Sequence, residues 1–248
     1  MKSIKILAVA IATTVMGACN NQPEQKTTEI PTEVEEKVKP LIQEVLTKEQ
    51  RDALSPDDVI KSFKEGNERF VTNELTARDH SAQVRKSATG QFPKAVVLSC
   101  LDSRVPVEDV FDRGIGDIFV GRVAGNFVNE DLLGSMEFGC KVAGAKVILV
   151  LGHEHCGAIK SAIDDVKLGN ITAMLSKIRP AVEKVKYEGE RTSGNPEFVH
   201  QVCESNVKNT IEQIRINSPI LKEMEDNGQI KIVGGVYDMD SGKVTFLE

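Results

Sequence analysis

Tryptophan is absent from this sequence of 248 residues, and the other aromatic residues are limited to nine Phe and two Tyr. A folded core must therefore be built mainly from Val, Ile, Leu and Ala. The sequence also lacks a run of basic residues, and its formal net charge is −6, which argues against a nucleic-acid-binding surface. Hydrophobic residues at 40% and charged residues at 27% exclude a fully disordered, collagen-like or multi-spanning membrane protein.

Residues 1–18 have the pattern of an export signal. Lys2 and Lys5 precede an apolar stretch at 6–18 that is too short to span a membrane as a helix. This stretch ends at Cys19, and the whole segment resembles a bacterial lipoprotein signal, in which the cysteine is lipidated. The alternative is an ordinary cleaved signal peptide followed by an incidental cysteine.

The same pattern predicts the domain organisation and the location. We expect a signal peptide over 1–18, a flexible tether over 19–48, and a folded domain with an N-terminal helical arm over 49–248. Residues 41–54 show some helical periodicity. The mature protein is expected in the bacterial cell envelope, in the periplasm or on the outer surface, attached to the membrane only through Cys19. An ordinary signal peptide would instead give a soluble periplasmic protein.

Apolar, β-branched stretches alternate with stretches of helical periodicity in the predicted domain. Strands are predicted over residues 94–99, 117–121, 145–151, 230–236 and 243–247. Helices are predicted from Ser55-Pro56, over residues 106–113, 130–144, 157–168, roughly 171–187 and 197–216, and from Ser218-Pro219 to Gly228. The pattern predicts a single-domain α/β fold with a mainly parallel central β-sheet flanked by helices.

Cysteine and histidine side chains follow two of the predicted core strands. Cys100 ends the first strand, and His153 and Cys156 follow the third. Neighbouring parallel strands end at the same edge of a sheet, so these three side chains can meet. Two thiolates and one imidazole match a catalytic zinc site with one open position. The alternative is that the five cysteines serve as a lipid anchor, disulfides or buried thiols.

Asp102 and Arg104 lie two and four residues after Cys100. In an extended segment these three side chains point to the same side, so that a thiolate, a carboxylate and a guanidinium line one wall. A purely structural ion pair between Asp102 and Arg104 is the alternative.

The pattern C-x-D-x-R at 100–104, followed by H-x-x-C at 153–156, resembles the beta-class carbonic anhydrases. Further stretches that carry the resemblance are K-E-G-N-E-R-F at 64–70 and G-R-V-A-G-N at 121–126. The similarity extends from about Ser55 to the C-terminus. It implies a beta-carbonic-anhydrase-like fold and one Zn²⁺ per subunit.

The resemblance also implies roles for the residues around the metal. Cys100, His153 and Cys156 would bind zinc. Asp102 and Arg104 match a dyad in which the arginine holds the aspartate away from the metal and leaves room for water. When that pair breaks, Asp102 can become a fourth ligand and give an inactive state.

Two further positions are assigned to the substrate by the resemblance. Gln91 matches a glutamine that hydrogen-bonds the substrate, and Gly157 follows the last ligand, where a side chain could crowd the pocket. Some family members have an inhibitory bicarbonate pocket built from Trp, Arg and Tyr. The positions here are Val97, Arg122 and Tyr237, so that pocket is incomplete, and we expect a resting state with Asp102 off the metal.

The activity that the resemblance implies is reversible hydration of CO2 to bicarbonate and a proton by zinc-hydroxide attack. The protein would then be a carbonate dehydratase, a carbon–oxygen lyase. Because two thiolates donate more charge than imidazoles, activity should rise with pH, with a midpoint above about 7. The alternatives are a COS/CS2 hydrolase on the same fold and a non-catalytic zinc-binding lipoprotein.

The resemblance further implies a homodimer or a higher multiple of dimers, with pocket residues from both chains.

Three other residues could act as a metal ligand or form a disulfide. His155 lies between His153 and Cys156 and could compete as a ligand, although the family spacing favours His153. Cys140 and Cys203 lie in predicted helices and are expected to be buried thiols, with a disulfide between them as the alternative in an oxidising compartment.

Overall fold

The computed structural model describes residues 40–247. The predicted signal peptide, Cys19 and the tether up to residue 39 lie outside the described residues. The strands are β1 (Ala95–Ser99), β2 (Ile118–Arg122), β3 (Val147–His153), β4 (Lys231–Tyr237) and β5 (Val244–Leu247). The helices are α1 (Lys48–Asp52), α2 (Pro56–Val71), α3 (His80–Ser87), α4 (Val107–Val110), α5 (Glu130–Glu137), α6 (Gly157–Ile163), α7 (Gly169–Leu175), α8 (Arg179–Lys184), α9 (Pro196–Asn217) and α10 (Pro219–Asp226).

The strands form one sheet in the order β2-β1-β3-β4-β5. Strands β1 to β4 are parallel, and β5 runs antiparallel to β4. Every residue of β1 and β3 is buried, because helices cover both faces of the sheet. The predicted α/β fold with a mainly parallel sheet is confirmed.

The side chains of β1 alternate between two helical layers, as the pleat of a strand requires. Val96 and Leu98 pack with residues of α5, α9 and α10. Ala95 and Val97 pack with residues of α2 and α4 on the opposite face. A third cluster, contributed by residues from α6 to α9, lies at the carboxyl ends of the strands and includes Cys100. The sheet therefore presents the ends of β1 and β3 to a set of helices that follow them in the chain.

Helix α2 begins where its sequence predicts. The Ser55 hydroxyl accepts a hydrogen bond from the Asp58 backbone N–H (3.2 Å), and the Asp58 carboxylate accepts one from the Ser55 backbone N–H (2.9 Å). This reciprocal pair satisfies donors that the first turn leaves open, and Pro56 follows the cap.

Asp112 joins the segment after α2 to the loop before β2. Its side chain is fully buried and accepts hydrogen bonds from Arg69 Nε (2.5 Å), Arg78 Nη1 (2.6 Å) and the Thr76 hydroxyl (2.6 Å). The backbone of Asp112 has a φ of 50°, in the left-handed region that aspartate tolerates better than most residues. A buried carboxylate therefore fixes the end of α2 and the segment after it to the loop before β2.

Several predicted helices are longer than those in the structure. The helix predicted over 130–144 ends at Glu137 and continues as a π-helical turn over Phe138–Val142. The helix predicted over 171–187 is divided into α7 and α8, and Pro180 stands in the first turn of α8. The helix predicted over 157–168 ends at Ile163, shortly before Asp165, whose φ is 53°. The helix predicted over 106–113 spans only Val107–Val110.

The N-terminal region differs from the prediction in two respects. Residues 41–54 form a helix only at α1, and α3, which was not predicted, begins at an Asp79 cap that accepts from the Ala82 backbone N–H (2.9 Å). The carbonyl of Glu44, inside the predicted tether, accepts a hydrogen bond from Gln83 Nε2 of α3 (3.0 Å). None of the helices in residues 40–247 combines the length and apolarity needed to cross a bilayer.

Candidate metal centre

Three metal-binding side chains meet at the carboxyl edge of the sheet. Cys100 follows β1 directly, His153 is the last residue of β3, and Cys156 lies three residues further on. Strands β1 and β3 are parallel neighbours with Ser99 opposite Leu151, so both strands deliver their next residues to the same edge. The juxtaposition predicted from the two strand ends is present.

The geometry of these side chains fits a zinc ion. Their ligand atoms all lie within 4.8 Å of one another, and the two sulfur atoms are 3.9 Å apart. Tetrahedral zinc with Zn–S bonds of about 2.3 Å separates two sulfurs by roughly 3.8 Å. All three residues are buried. Among the described residues this is the one group of three or more His, Cys, Asp or Glu side chains that could hold a metal ion.

His153 presents one nitrogen to this cluster. Its Nδ1 lies 2.8 Å from the Glu154 carbonyl oxygen. Because a carbonyl oxygen can only accept, Nδ1 is the protonated nitrogen in this contact. Its Nε2 is buried and has no hydrogen-bond partner within residues 40–247. A buried nitrogen without a partner is costly unless something binds it, and a metal ion would do so.

The two thiols influence each other's proton affinity. Hydrogen bonding from the Cys156 thiol lowers the pKa of Cys100, and burial opposes this shift. The same contact raises the pKa of Cys156, and burial adds to the increase. The pair therefore retains one proton readily, and a divalent cation between the sulfur atoms would release it.

Asp102 and Arg104 form a two-pronged ion pair beside the cluster. Arg104 Nε and Nη2 donate to the two carboxylate oxygens of Asp102 at 2.9 and 2.8 Å. Hydrogen bonding by Arg104 holds the pKa of that carboxyl well below its usual range. Asp102 Oδ2 lies 3.9 Å from His153 Nε2, so the carboxylate is near the cluster while it is engaged by arginine.

The extended conformation expected for residues 100–104 is wrong. The Arg104 backbone N–H donates to Asp102 Oδ1 (2.9 Å), and residues 101–104 form a bend followed by a turn. An aspartate side chain that bonds the backbone two residues on favours such a turn over a strand. The turn, rather than strand alternation, brings the guanidinium onto the carboxylate.

Arg122, at the end of β2, holds the backbone of this turn. Its guanidinium donates to the carbonyl oxygens of Cys100 (3.0 Å), Asp102 (3.3 Å) and Val105 (2.6 Å). Arg122 and Tyr237 were matched by sequence to an inhibitory pocket, but Arg122 is occupied with these carbonyls. Val97, at the third position of that pocket, is buried inside the sheet.

The remaining predicted site residues lie in different places. Gln91 is exposed and precedes β1, whereas Cys100 follows the opposite end of that strand, so one chain does not bring the two together. Gly157 is the exposed first residue of α6, and a Cβ there would meet no atom within 4 Å. His155 is exposed and lies outside the metal cluster. Cys19 lies outside the described residues.

Cys140 and Cys203 are buried free thiols, which leaves the alternative of a disulfide between them without support. Burial raises the pKa of each to about 12, so both are inert at neutral pH. Cys203 donates its S–H to the His153 carbonyl oxygen at 2.8 Å and so supports the end of β3. No sequence pattern indicates this supporting role, because the contact joins residues 50 positions apart.

Comparison with known proteins identifies the same family throughout. The family model described as "Carbonic anhydrase" matches residues 95–244. Carbonic anhydrase 2 of Mycobacterium tuberculosis is 35% identical over 192 residues, which cover 76% of this chain and 91% of that protein.

Solved structures agree. The beta-carbonic anhydrase of Coccomyxa, solved in complex with acetazolamide, superposes with a TM-score of 0.60 at 25% identity, covering 76% of this chain and 84% of that one. A tetrameric beta-carbonic anhydrase from Sordaria macrospora has the same fold, with a TM-score of 0.58 at 24% identity over 66% of this chain and 84% of that one. The alternatives of a COS/CS2 hydrolase and a non-catalytic lipoprotein are not favoured by these similarities. The chain belongs to the carbonic anhydrase family, in its beta class, and is a zinc-dependent carbonic anhydrase.

Proposed function

We propose that this chain hydrates CO2 reversibly to bicarbonate and a proton at one zinc ion per subunit, held by Cys100, His153 and Cys156. The observation that carries the proposal is the buried cluster of two sulfurs and one imidazole nitrogen that has no hydrogen-bond partner within residues 40–247. Three protein ligands leave the fourth position of tetrahedral zinc open for water. When bound there, zinc would lower the pKa of water and so supply hydroxide near neutral pH for attack on the carbon of CO2.

The chain's own residues control access to that position. The Glu154 carbonyl fixes the ring orientation of His153, and Arg122 fixes the backbone of the turn that follows Cys100. Arg104 engages both carboxylate oxygens of Asp102. This pairing supports a resting state in which Asp102 stays off the metal and the fourth position remains for water.

Metal analysis of purified variants tests the ligand assignment. Cys100→Ser and Cys156→Ser each remove one thiolate and should lose bound zinc. Cys140→Ser changes an equally buried thiol outside the cluster and should keep one zinc per chain. Retention of zinc by both ligand variants would contradict the assignment.

The dimer is part of the same proposal, and the edge of the sheet supports it. Strand β2 pairs with β1 on one side, and within residues 40–247 no strand pairs with its other side. The groove beside this edge is lined by Phe119, Leu132, Met136 and Phe138, and Phe138 is 55% exposed. An exposed strand edge next to an apolar groove is typical of a site where another chain docks.

A second copy suits this edge because of where Gln91 lies. Two copies of β2 paired about a two-fold axis run antiparallel, so the amino end of β1 in one copy approaches the carboxyl end in the other. Gln91 precedes the amino end and Cys100 follows the carboxyl end. The arrangement would place Gln91 of one subunit at the zinc site of its partner and so complete the pocket.

Attachment to the bacterial envelope through a lipid on Cys19 is the last element of the proposal, and the N-terminal sequence pattern supports it. Expression in a bacterial host followed by detergent phase partition tests it. We expect the wild-type protein in the detergent phase and Cys19→Ser in the aqueous phase, with Cys140→Ser as the control that stays with detergent. Partition of the wild type into the aqueous phase would favour a soluble periplasmic protein.

A further inference from the structure

A buried asparagine on α9 is linked to the metal ligand Cys100 through a single glycine. Asn206 is 1% exposed, and its Nδ2 donates to the Gly125 carbonyl oxygen at 2.8 Å. The Gly125 backbone N–H donates in turn to Cys100 Sγ at 3.3 Å. We propose that Asn206 is a positioning residue that holds the Gly125 amide against the Cys100 sulfur and so tunes this sulfur as a zinc ligand. The inference rests on the proposed role of Cys100 in binding zinc.

The loop that carries Gly125 is tightly confined. Residues 123–126 form a turn in which the Asn126 N–H donates to the Val123 carbonyl oxygen at 2.9 Å. Gly125 has a φ of 82°, a conformation that glycine adopts without strain. A Cβ at Gly125 would lie 2.4 Å from Ile178 Cδ1 and 3.3 Å from the Ala158 Cβ. With Ile178 packed against the turn and Asn206 bonded to its carbonyl, the Gly125 N–H has little freedom to turn away from the sulfur.

The hydrogen bond has a chemical consequence for the metal. An N–H donated to a thiolate withdraws electron density from the sulfur, and the thiolate then donates less charge to a bound cation. In a site with two thiolates, this limits how far the ligands neutralise the positive charge of zinc. Partners beyond the ligands themselves commonly set metal affinity in this way.

The side chain of Asn206 is costly to bury, which argues for a specific use. Its Oδ1 is buried and has no hydrogen-bond partner among the described residues. An unsatisfied buried oxygen destabilises the fold, so an apolar residue of similar shape would suit a purely structural position better. What asparagine supplies here, and leucine cannot, is the Nδ2 donor to Gly125.

Helix α9 offers a matched control one turn further on. Thr210 is also fully buried, and its hydroxyl donates to the carbonyl oxygen of Asn126, the next residue of the same loop, at 3.2 Å. Among the described residues, no hydrogen bond joins the Asn126 backbone to a metal ligand, since its N–H donates to the Val123 carbonyl oxygen. Thr210→Val therefore removes a comparable bond from helix to loop without touching the amide that faces Cys100.

The experiment compares Asn206→Leu with Thr210→Val in the full chain, loaded with Zn²⁺ or Co²⁺. Zinc affinity is measured by competition with a chromophoric chelator, and the thiolate-to-Co²⁺ charge-transfer absorption is recorded. For Asn206→Leu we expect zinc affinity to fall about tenfold, because the loop no longer holds the Cys100 sulfur in place. The charge-transfer band should move to longer wavelength, because a thiolate without this N–H donates more charge to the cation. For Thr210→Val both readouts should match the wild type. Asn206→Ser, which also leaves the Gly125 carbonyl without a donor, replaces the leucine variant if that variant does not fold.

The outcomes distinguish a failure of the inference about Asn206 from a failure of the proposed function. A wild-type protein that shows no thiolate-to-Co²⁺ absorption would overturn Cys100 and Cys156 as ligands, and with them the proposed function. A wild-type band that is unchanged in Asn206→Leu would overturn only the role of Asn206. Equal changes in Asn206→Leu and Thr210→Val would show that α9 merely stabilises the loop, and would also overturn it.

Discussion

Asp102 lies between the Arg104 side chain and the metal-binding cluster, and its hydrogen bonds hold it to Arg104. Both carboxylate oxygens are bonded to the Arg104 side chain, while Oδ2 is 3.9 Å from His153 Nε2. Arg104 is 55% exposed at its side chain, so the pair gains little from burial and depends on its two-pronged geometry. A small change at Arg104 can therefore redirect the carboxylate.

Arg104→Ala is the residue-scale test of this arrangement. Without the guanidinium, the Asp102 carboxylate is free to compete for the open position of the metal. We expect the CO2 hydration rate to fall by about 10–100-fold while zinc is retained. Ser103→Ala, which alters an exposed neighbour in the same turn, should keep wild-type activity. Equal activity of the two variants would exclude a gating role for Arg104.

The placement of the site residues could be predicted from the sequence to different degrees. Cys100, His153 and Cys156 could be placed together from sequence, because parallel strands need only be neighbours for their ends to meet. The turn at 101–104 was missed because a local hydrogen bond from the Asp102 side chain overrides the extended conformation. Asn206 gave no signal, because its contact with Gly125 spans 81 positions and depends on the packing of α9.

At the scale of elements, buried strands were easier to predict than helix ends. Strands β1 and β3 are uniformly buried and mostly apolar, and they appear within two residues of the predicted bounds. The helix predicted over 171–187 is interrupted before Pro180, because proline has no N–H to continue a helix through that point. Helix α3 has few buried residues, so it left little periodicity to detect.

Asp112 provides a prediction about how the arm is held. Burial raises the pKa of this carboxyl, but hydrogen bonds from Thr76, Arg69 and Arg78 outweigh burial and lower it to about 2. A carboxyl with a folded pKa of about 2 and an unfolded value of about 3.9 contributes about 2–3 kcal/mol to the free energy of unfolding at neutral pH. We expect Asp112→Asn to lose about this much in urea unfolding at pH 7.

The pH dependence of that loss has a defined sign. Because the folded pKa lies below the unfolded one, the stabilisation by Asp112 is complete above about pH 4 and disappears as the pH falls towards about 2. The difference between wild type and Asp112→Asn should shrink over that window. Asp226→Asn, which removes an exposed partner of the partly exposed Lys222, should have little effect at any pH. A difference that persists unchanged at pH 2 would contradict this account of the network.

At the scale of the whole molecule, the proposed contact of Gln91 with substrate requires a second copy of the chain. Gln91 and Cys100 lie at opposite ends of β1, so Gln91 can contact substrate in the way we propose only at the zinc site of a second subunit. The sequence resemblance implied pocket residues from both chains, and the position of Gln91 gives that expectation a geometric reason. The assembly itself stays a prediction.

Mixing two inactive variants tests the shared pocket. Gln91→Ala should impair both sites of a dimer, and Cys156→Ser should remove both metal sites. In a mixed dimer, the chain with intact ligands receives Gln91 from its partner, so one site regains full function. After unfolding and refolding an equal mixture, we expect active sites to number about a quarter of those in the same amount of wild-type protein. A mixture no more active than its components would exclude the shared pocket.

Light scattering on the wild type should give the mass of a dimer or a multiple of it. An active monomer would also exclude the shared pocket.

Stopped-flow measurement of CO2 hydration by the zinc-loaded full chain tests the central claim most directly. Cys156→Ser serves as the blank, and Cys140→Ser as the matched control with another buried thiol changed. We predict fast hydration by the wild type and by Cys140→Ser, rising with pH to a midpoint above about 7, and none by Cys156→Ser. A wild-type chain that binds zinc and yet does not hydrate CO2 from mildly acidic to alkaline pH would contradict the account.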